Sequence, residues 1–433
     1  MCDQHLPQLR RLAIMYGLAV CTEHTSWAGA PASIEGRLPL TTNRLRPADV
    51  SPSMLMREVA ASVGHDDWGS RSFVEPLTLL VDSCRASNRM SLVGWQVLRS
   101  VARRHLRNRL DIRGYLQRRP EAAQRPLGSP LVITGLPRTG TSLLHNLLAQ
   151  DPRHRFLRLW EALHPLPPDN GHGLDEATLV HKAEQWLGRL FELAPDFATV
   201  HPLAPHGPEE CDRLLQNAFA SQHFMDMFDA PAYADWFCRC SLEDAYADYA
   251  LQLRVLTREE DADRRWVLKS PGHMGHLDAL LTTMPDAVVL HCHRDPGEAV
   301  PSYASLIDTV RHPHTDEVSP LEVGTQALQR CETALSRALE TRAATAGRTF
   351  VDVSYPSLVA DPVATVADVY QRLGLSLEPA VEGQMRRWLT ENPRDQGGRH
   401  RYDPERFGLP PERVRAAFTD YRERYASLLE ERL

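Results

Sequence analysis

The chain has 433 residues, enough for one large domain with additions or for two, and its 42% hydrophobic and 24% charged residues are ordinary for a globular protein. A net charge of -7 lacks the basic footprint of a nucleic-acid binder. No run approaches the ~18 consecutive apolar residues of a membrane span; the 8 cysteines are scattered without a C-x-x-C pair, which points to reduced thiols in a cytoplasmic protein.

Residues 1–50 carry Pro, Ser, Thr and Gly without a clear period and read as a poorly structured leader. The run Leu12–Val20 after Arg10-Arg11 has the look of a short signal-peptide core, but Tyr16 and Gly17 interrupt it, and a flexible leader is the expectation. Residues 51–126 form a helical N-terminal region, with helical apolar spacing from Met54 to Tyr115 and a proline-rich linker after Pro120. The main domain, 127–433, starts with the apolar strand Leu131–Gly135 and a helix from Thr141. A helical insertion at about 155–262 follows, rich in aromatics such as Trp160, Trp186, Phe224, Tyr233 and Trp236. Buried strands then recur at 266–268, 287–292 and 349–353, between helices at 276–283, 296–306 and 321–344. Continuous apolar strands separated by helices predict an α/β fold: a P-loop-like parallel sheet flanked by helices, with a helical N-terminal extension and insertion.

Ligands of such sheets gather beyond the carboxyl ends of the strands. Three of those ends carry polar residues: Thr134–Ser142, Lys269–His273, and His293–Asp295 with Ser302. In the first, a strand runs through Gly135-x-x-x-x-Gly140 into a helix, so amides and a helix N-terminus converge on one anion. The glycine spacing is that of a Walker A loop, but Thr141 stands where the lysine belongs, and Arg138 is the only cation within the loop. Arg294, just past a strand, and Ser302, eight residues later, suit a terminal phosphate. His293-Arg-Asp295 mimics a kinase triplet, but position 300 is Val and no Asp-Phe-Gly follows. Cys238 and Cys240 have no second ligand pair at metal-site spacing, so no metal is expected.

Together these residues resemble the sulfotransferases that use 3′-phosphoadenosine-5′-phosphosulfate (PAPS), in particular the bacterial branch related to tyrosylprotein sulfotransferases. Gly135–Ser142 looks like that family's 5′-phosphosulfate loop, and Arg294 with Ser302 like its 3′-phosphate site. Asp352–Tyr355 with Asp361-Pro362, and Arg399–Tyr402 through Leu409, resemble further family segments.

The resemblance implies PAPS as co-substrate, held by Arg138, Thr139, Gly140, Thr141, Ser142, Arg294, Ser302 and Arg401. Arg138 would clamp the sulfuryl oxygens, with Lys269 as a second cation. Glu161, twenty-three residues after Arg138, matches a glutamate base of the tyrosylprotein branch and is the expected base, with His273 as its active-site partner. Glu209 and Glu210 are weaker candidates. The acceptor is expected to be a hydroxyl-bearing small molecule such as a natural product, lipid or phenol, because aromatic, apolar walls favour organic substrates. A P-loop kinase of small molecules and a non-catalytic nucleotide-binding scaffold are the alternatives. The oligomeric state is open.

Overall fold

Five short strands form one parallel sheet in the order β2-β3-β1-β4-β5. They are β1 (Leu131–Gly135), β2 (His154–Phe156), β3 (Arg265–Lys269), β4 (Val288–His293) and β5 (Phe350–Ser354). The computed structural model describes residues 50–168, 174–193, 203–261, 263–345, 350–393 and 402–430. The expectation of a loose leader, apart from its last residue, and the candidate Arg401 lie outside these residues.

Strand β1 is central, pairing Leu131 with Val267 on one side and with Val288 on the other. Helices cover both faces, so the strands read as apolar runs rather than alternating ones. On one face Ile133, Leu290 and Val353 pack against Leu144 and Leu148 of the helix Thr141–Leu148 and Val366 of the helix Pro362–Arg372. On the other, Val289 and Phe350 meet Leu277 and Ala338. Beyond this layer the helix Pro296–Arg311 packs with Pro320–Ala344 and the C-terminal aromatics Phe418, Tyr421 and Tyr425.

The expected strands fall within about a residue of their predicted bounds. The expected insertion is not helical from its start: it overlaps β2, a three-residue edge strand paired with β3. His154 and Arg155 give β2 no apolar run, and an edge strand needs none.

The N-terminal helices Pro52–Val63, Val74–Ser87 and Leu92–Arg118 share one apolar core with residues 211–256. Phe73, Leu80, Leu98 and Leu106 meet Phe219, Phe224, Tyr233 and Tyr249 there. Ser91 caps the longest of these helices, its side chain accepting from the Gly94 amide. A buried polar cluster ties the two parts further: Asn217 accepts from Asn108 (3.1 Å), lies 2.7 Å from His105 Nδ1, and donates to Gln252 (2.7 Å). No described helix is long and apolar enough to cross a membrane.

Candidate active site

The loop after β1 is shaped by close approach. A Cβ on Gly135 would lie 2.6 Å from both the Cys292 carbonyl oxygen and Thr139 Oγ1, so only hydrogen fits. Thr139 donates to the Leu136 carbonyl (2.7 Å) and closes the turn. Arg138 (φ 72°) and Gly140 (φ 85°) both take the left-handed conformation, which is uncommon for a non-glycine residue such as arginine. At Gly140 a Cβ would also meet the Tyr355 ring at 2.9 Å. The helix Thr141–Leu148 then begins with no side chain capping its first amides. Uncapped N–H groups at a helix start carry partial positive charge and suit an anion.

Three candidate residues meet at this loop. Arg138 Nε lies 3.3 Å from Ser302 Oγ, and Arg294 Nη1 donates to the Arg138 carbonyl (2.8 Å). Arg294 also stacks over the Tyr355 ring at 4.3 Å and pairs with the exposed Glu298 at 2.9 Å. Burial lowers the pKa of Arg138, and the neighbouring Arg294 lowers it further. Among the described residues no carboxylate pairs with Arg138. A largely buried guanidinium beside a second one, without a carboxylate, is an environment that a bound anion relieves.

Lys269 arrives from the end of β3. It is buried, and its Nζ donates to Ser142 Oγ (3.2 Å) and pairs with Glu210. The Cys211 amide donates to the Lys269 carbonyl (3.0 Å), which fixes residues 210–212 against this strand end. Glu210 thus stands at the loop, where the sequence ranked it low. Paired acids at a helix start give no signal of which strand end they face.

The two residues expected to share the base role are each held in a buried network. Glu161 is buried in the first turn of the helix Leu159–Leu163, its carboxylate taken by Arg155 Nη1 and Nη2 (3.1 and 2.7 Å) and by the Arg158 amide (2.9 Å). Arg155 also holds Asp261 (2.9 Å) and lies 4.3 Å over the Trp266 ring. This cluster staples β2 and the start of the insertion to the segment before β3. Both oxygens of Glu161 are engaged within this cluster.

His273 has no exposed surface: Nδ1 lies 2.7 Å from Tyr246 OH and Nε2 lies 3.1 Å from Cys211 Sγ. Burial pushes its pKa down to about 3. It braces the turn Pro271–His276 against Tyr246 and Tyr249 of the aromatic core. The sequence showed the spacing of Glu161 from Arg138 and of His273 from Lys269 but not the Arg155 and Tyr246 partners that engage them.

A narrow cavity opens beside the loop. Its walls include Leu136 and Pro137, Met225, Phe237, Met274 and Tyr303. Asp352, at the midpoint of β5, belongs to a separate network. It binds Arg342 (2.5 and 2.7 Å) and His293 (2.8 Å), and His293 in turn lies 2.8 Å from Tyr421 OH. His291, His293 and Asp352 are spaced as metal ligands could be, but the Arg342 guanidinium already occupies the carboxylate.

The comparisons with known proteins agree with this geometry. The family model described as "Sulfotransferase family" matches residues 130–379. The omega-hydroxy-beta-dihydromenaquinone-9 sulfotransferase Stf3 of Mycobacterium tuberculosis is 27% identical over 287 residues, 61% of this chain and 67% of that protein. The crystal structure of sulfotransferase STF1 from Mycobacterium tuberculosis H37Rv superposes with a TM-score of 0.74 at 28% identity, covering 87% of this chain and 100% of that one. Sulfotransferase STF9 from Mycobacterium avium gives 0.76 at 27% identity, over 88% of this chain and 98% of that one. With more than half of its length matched by the family model and its parallel sheet shared with solved members, this chain belongs to the sulfotransferase family and is a transferase.

Proposed function

We propose that this sulfotransferase moves the sulfuryl group of PAPS onto a hydroxyl of an apolar small molecule by in-line displacement. The observation that carries the reading is the meeting of Arg138, Arg294 and Ser302 around an uncapped helix N-terminus. The donor nucleotide has an anionic group at each of two positions, and the site offers two separate anion grips. The amides of Thr139–Ser142 would hold the 5′-phosphate, with Arg138 on the bridging and sulfuryl oxygens. Arg294 and Ser302 would hold the 3′-phosphate. Arg138 stays protonated at neutral pH, so it serves as an electrostatic clamp and not as an acid.

Lys269 completes the clamp. In the present arrangement its charge is balanced by Glu210; a bound sulfuryl group would draw the ammonium away and free that carboxylate. Glu161 is read here as a structural staple, and His273 as a support beneath the site. Arg401 is retained as a nucleotide contact because Tyr402, its neighbour in sequence, donates to the Glu298 carbonyl (3.0 Å) beside Arg294.

The acceptor class rests on the walls of the cavity and on the likeness to a sulfotransferase named for a hydroxylated menaquinone. A lipid-like or other apolar natural product fits both. We propose the division into an N-terminal helical region before about 126 and a transferase domain after it, with both regions contributing to the shared core. The cytoplasmic setting proposed from the cysteines is supported by Cys84, Cys292 and Cys331, buried as free thiols.

Adenosine 3′,5′-bisphosphate, the donor product, should raise the melting temperature, whereas ATP with magnesium should not. Saturation at 100 times Kd adds about 2.7 kcal/mol. Incubation with labelled PAPS and a lipid extract should give a sulfated product identifiable by mass spectrometry. Stabilisation by ATP-magnesium alone would instead favour a kinase.

A further inference from the structure

The cavity wall beneath the loop is thin at one point, and a carboxylate stands behind it. Gly272 lines the cavity together with Pro137 and Gln222. A Cβ at Gly272 would fall 3.3 Å from Asp212 Oδ1 and 3.4 Å from Gln222 Cβ. Position 272 carries no side chain, so Oδ1, itself enclosed, lies close behind the cavity wall there.

Asp212 is buried, and its two oxygens differ. Oδ2 accepts from Ser221 Oγ and, more weakly, from Gln216 Nε2 (3.5 Å). Oδ1 has no hydrogen-bond partner among the described residues. A buried acceptor atom without a donor is costly, and a substrate hydroxyl would offset that cost on binding.

No cation pairs with Asp212 among the described residues. Two of the charged groups that act on it, Glu210 and Asp226, are acids like itself. Burial, reinforced by these neighbours against the Ser221 hydrogen bond, pushes its carboxyl up to about 7. Glu210, two residues earlier, is tied to Lys269. Residues 210–212 therefore place a charge-balancing acid and an unpaired acid on one short turn.

We infer that Asp212 accepts the proton of the acceptor hydroxyl, across the point where Gly272 thins the cavity wall. The inference rests on the sulfuryl-transfer reading above. In the step, the acceptor oxygen forms a bond to sulfur as the bond from sulfur to the 5′-phosphate oxygen breaks. The hydroxyl proton passes to Asp212 Oδ1, and the electron pair of the broken bond leaves on the nucleotide, which departs as adenosine 3′,5′-bisphosphate. Arg138 and Lys269 offset the charge that grows on the leaving phosphate. No further reactant is needed.

The test compares two acceptors on the full chain: 1-decanol, whose hydroxyl must lose its proton during transfer, and 4-nitrophenol, already an anion at mildly alkaline pH. A missing general base typically costs a factor of about 100 or more. Asp212→Asn should lower kcat with 1-decanol by at least that factor and lower it by less than about tenfold with 4-nitrophenol. Stabilisation by adenosine 3′,5′-bisphosphate should persist, which shows an intact donor site.

Equal losses on both acceptors with nucleotide binding retained, or no loss on either, would overturn the inference. So would a wild-type protein that sulfates 4-nitrophenol but no un-ionised alcohol. If Asp212→Asn fails to bind the nucleotide, Gly272→Ala decides: it should slow transfer to 1-decanol more than to 4-nitrophenol, and equal slowing would refute the role. A wild-type protein that transfers to neither acceptor would instead reject the sulfuryl-transfer reading.

Discussion

Arg138 is held in a left-handed conformation, with its carbonyl bound by Arg294 and its guanidinium turned to Ser302. Such backbone strain persists only where the surroundings fix it, and here the partners just past β4 and on the following helix do so. Arg138→Ala should reduce sulfuryl transfer by at least about 100-fold, an effect typical of losing one preorganised electrostatic contact. Its circular dichroism and melting temperature should stay close to wild type.

Glu161 behaves in the opposite way. Its partner Arg155 is as deeply buried as Glu161 itself, so Glu161→Gln unbalances a buried ion pair and should destabilise the fold by about 3 kcal/mol in urea unfolding. The shift produced by adenosine 3′,5′-bisphosphate should survive in that variant. A stable Glu161→Gln protein with abolished turnover would restore Glu161 as the base. In the sequence the two residues look equally catalytic; what separates them is Arg155, whose side chain meets Glu161 only once β2 and the next helix have folded.

At the scale of elements, the βα unit around the loop was legible because several signals coincide: an apolar strand, two glycines and an amphipathic helix. Strands β3, β4 and β5 were legible from buried apolar runs. Strand β2 was not, being three residues long and partly charged. The position of Glu210 was also hidden, since it depends on the Cys211 amide bonding the Lys269 carbonyl across 58 residues of chain.

The C-terminal segment is joined to the sheet layer by a tight crossing. A Cβ at Gly324 would lie 2.0 Å from the Phe407 carbonyl oxygen, so the helix Pro320–Ala344 and the turn Pro404–Phe407 touch backbone to backbone. Gly324→Ala should destabilise the protein by about 1–3 kcal/mol, as overpacking does, measured as a lower urea midpoint. An unchanged midpoint would mean the crossing is looser than described.

Across the whole molecule, several histidines are enclosed as neutral rings. Burial pushes His145 and His276, like His273, to about 3, and His223 and His314 to about 4. In the unfolded chain they titrate near 6.5, so as the pH falls below that value the unfolded state binds more protons than the native one. The stability they contribute is complete above pH 6.5 and is lost on acidification, by up to about 1.4 kcal/mol per pH unit for each ring. The urea midpoint should therefore be flat near and just above neutrality and fall steadily between pH 6.5 and 4. A midpoint that holds through that window would show the rings to be accessible.

The central claim is that Arg138 and Arg294 grip one doubly phosphorylated adenosine nucleotide. Calorimetric titration of adenosine 3′,5′-bisphosphate into wild type, Arg138→Ala and Arg294→Ala tests it directly. The structure predicts one site in the wild type and at least about a tenfold weaker Kd in each variant, or 1.4 kcal/mol. Undiminished binding by both variants would contradict it.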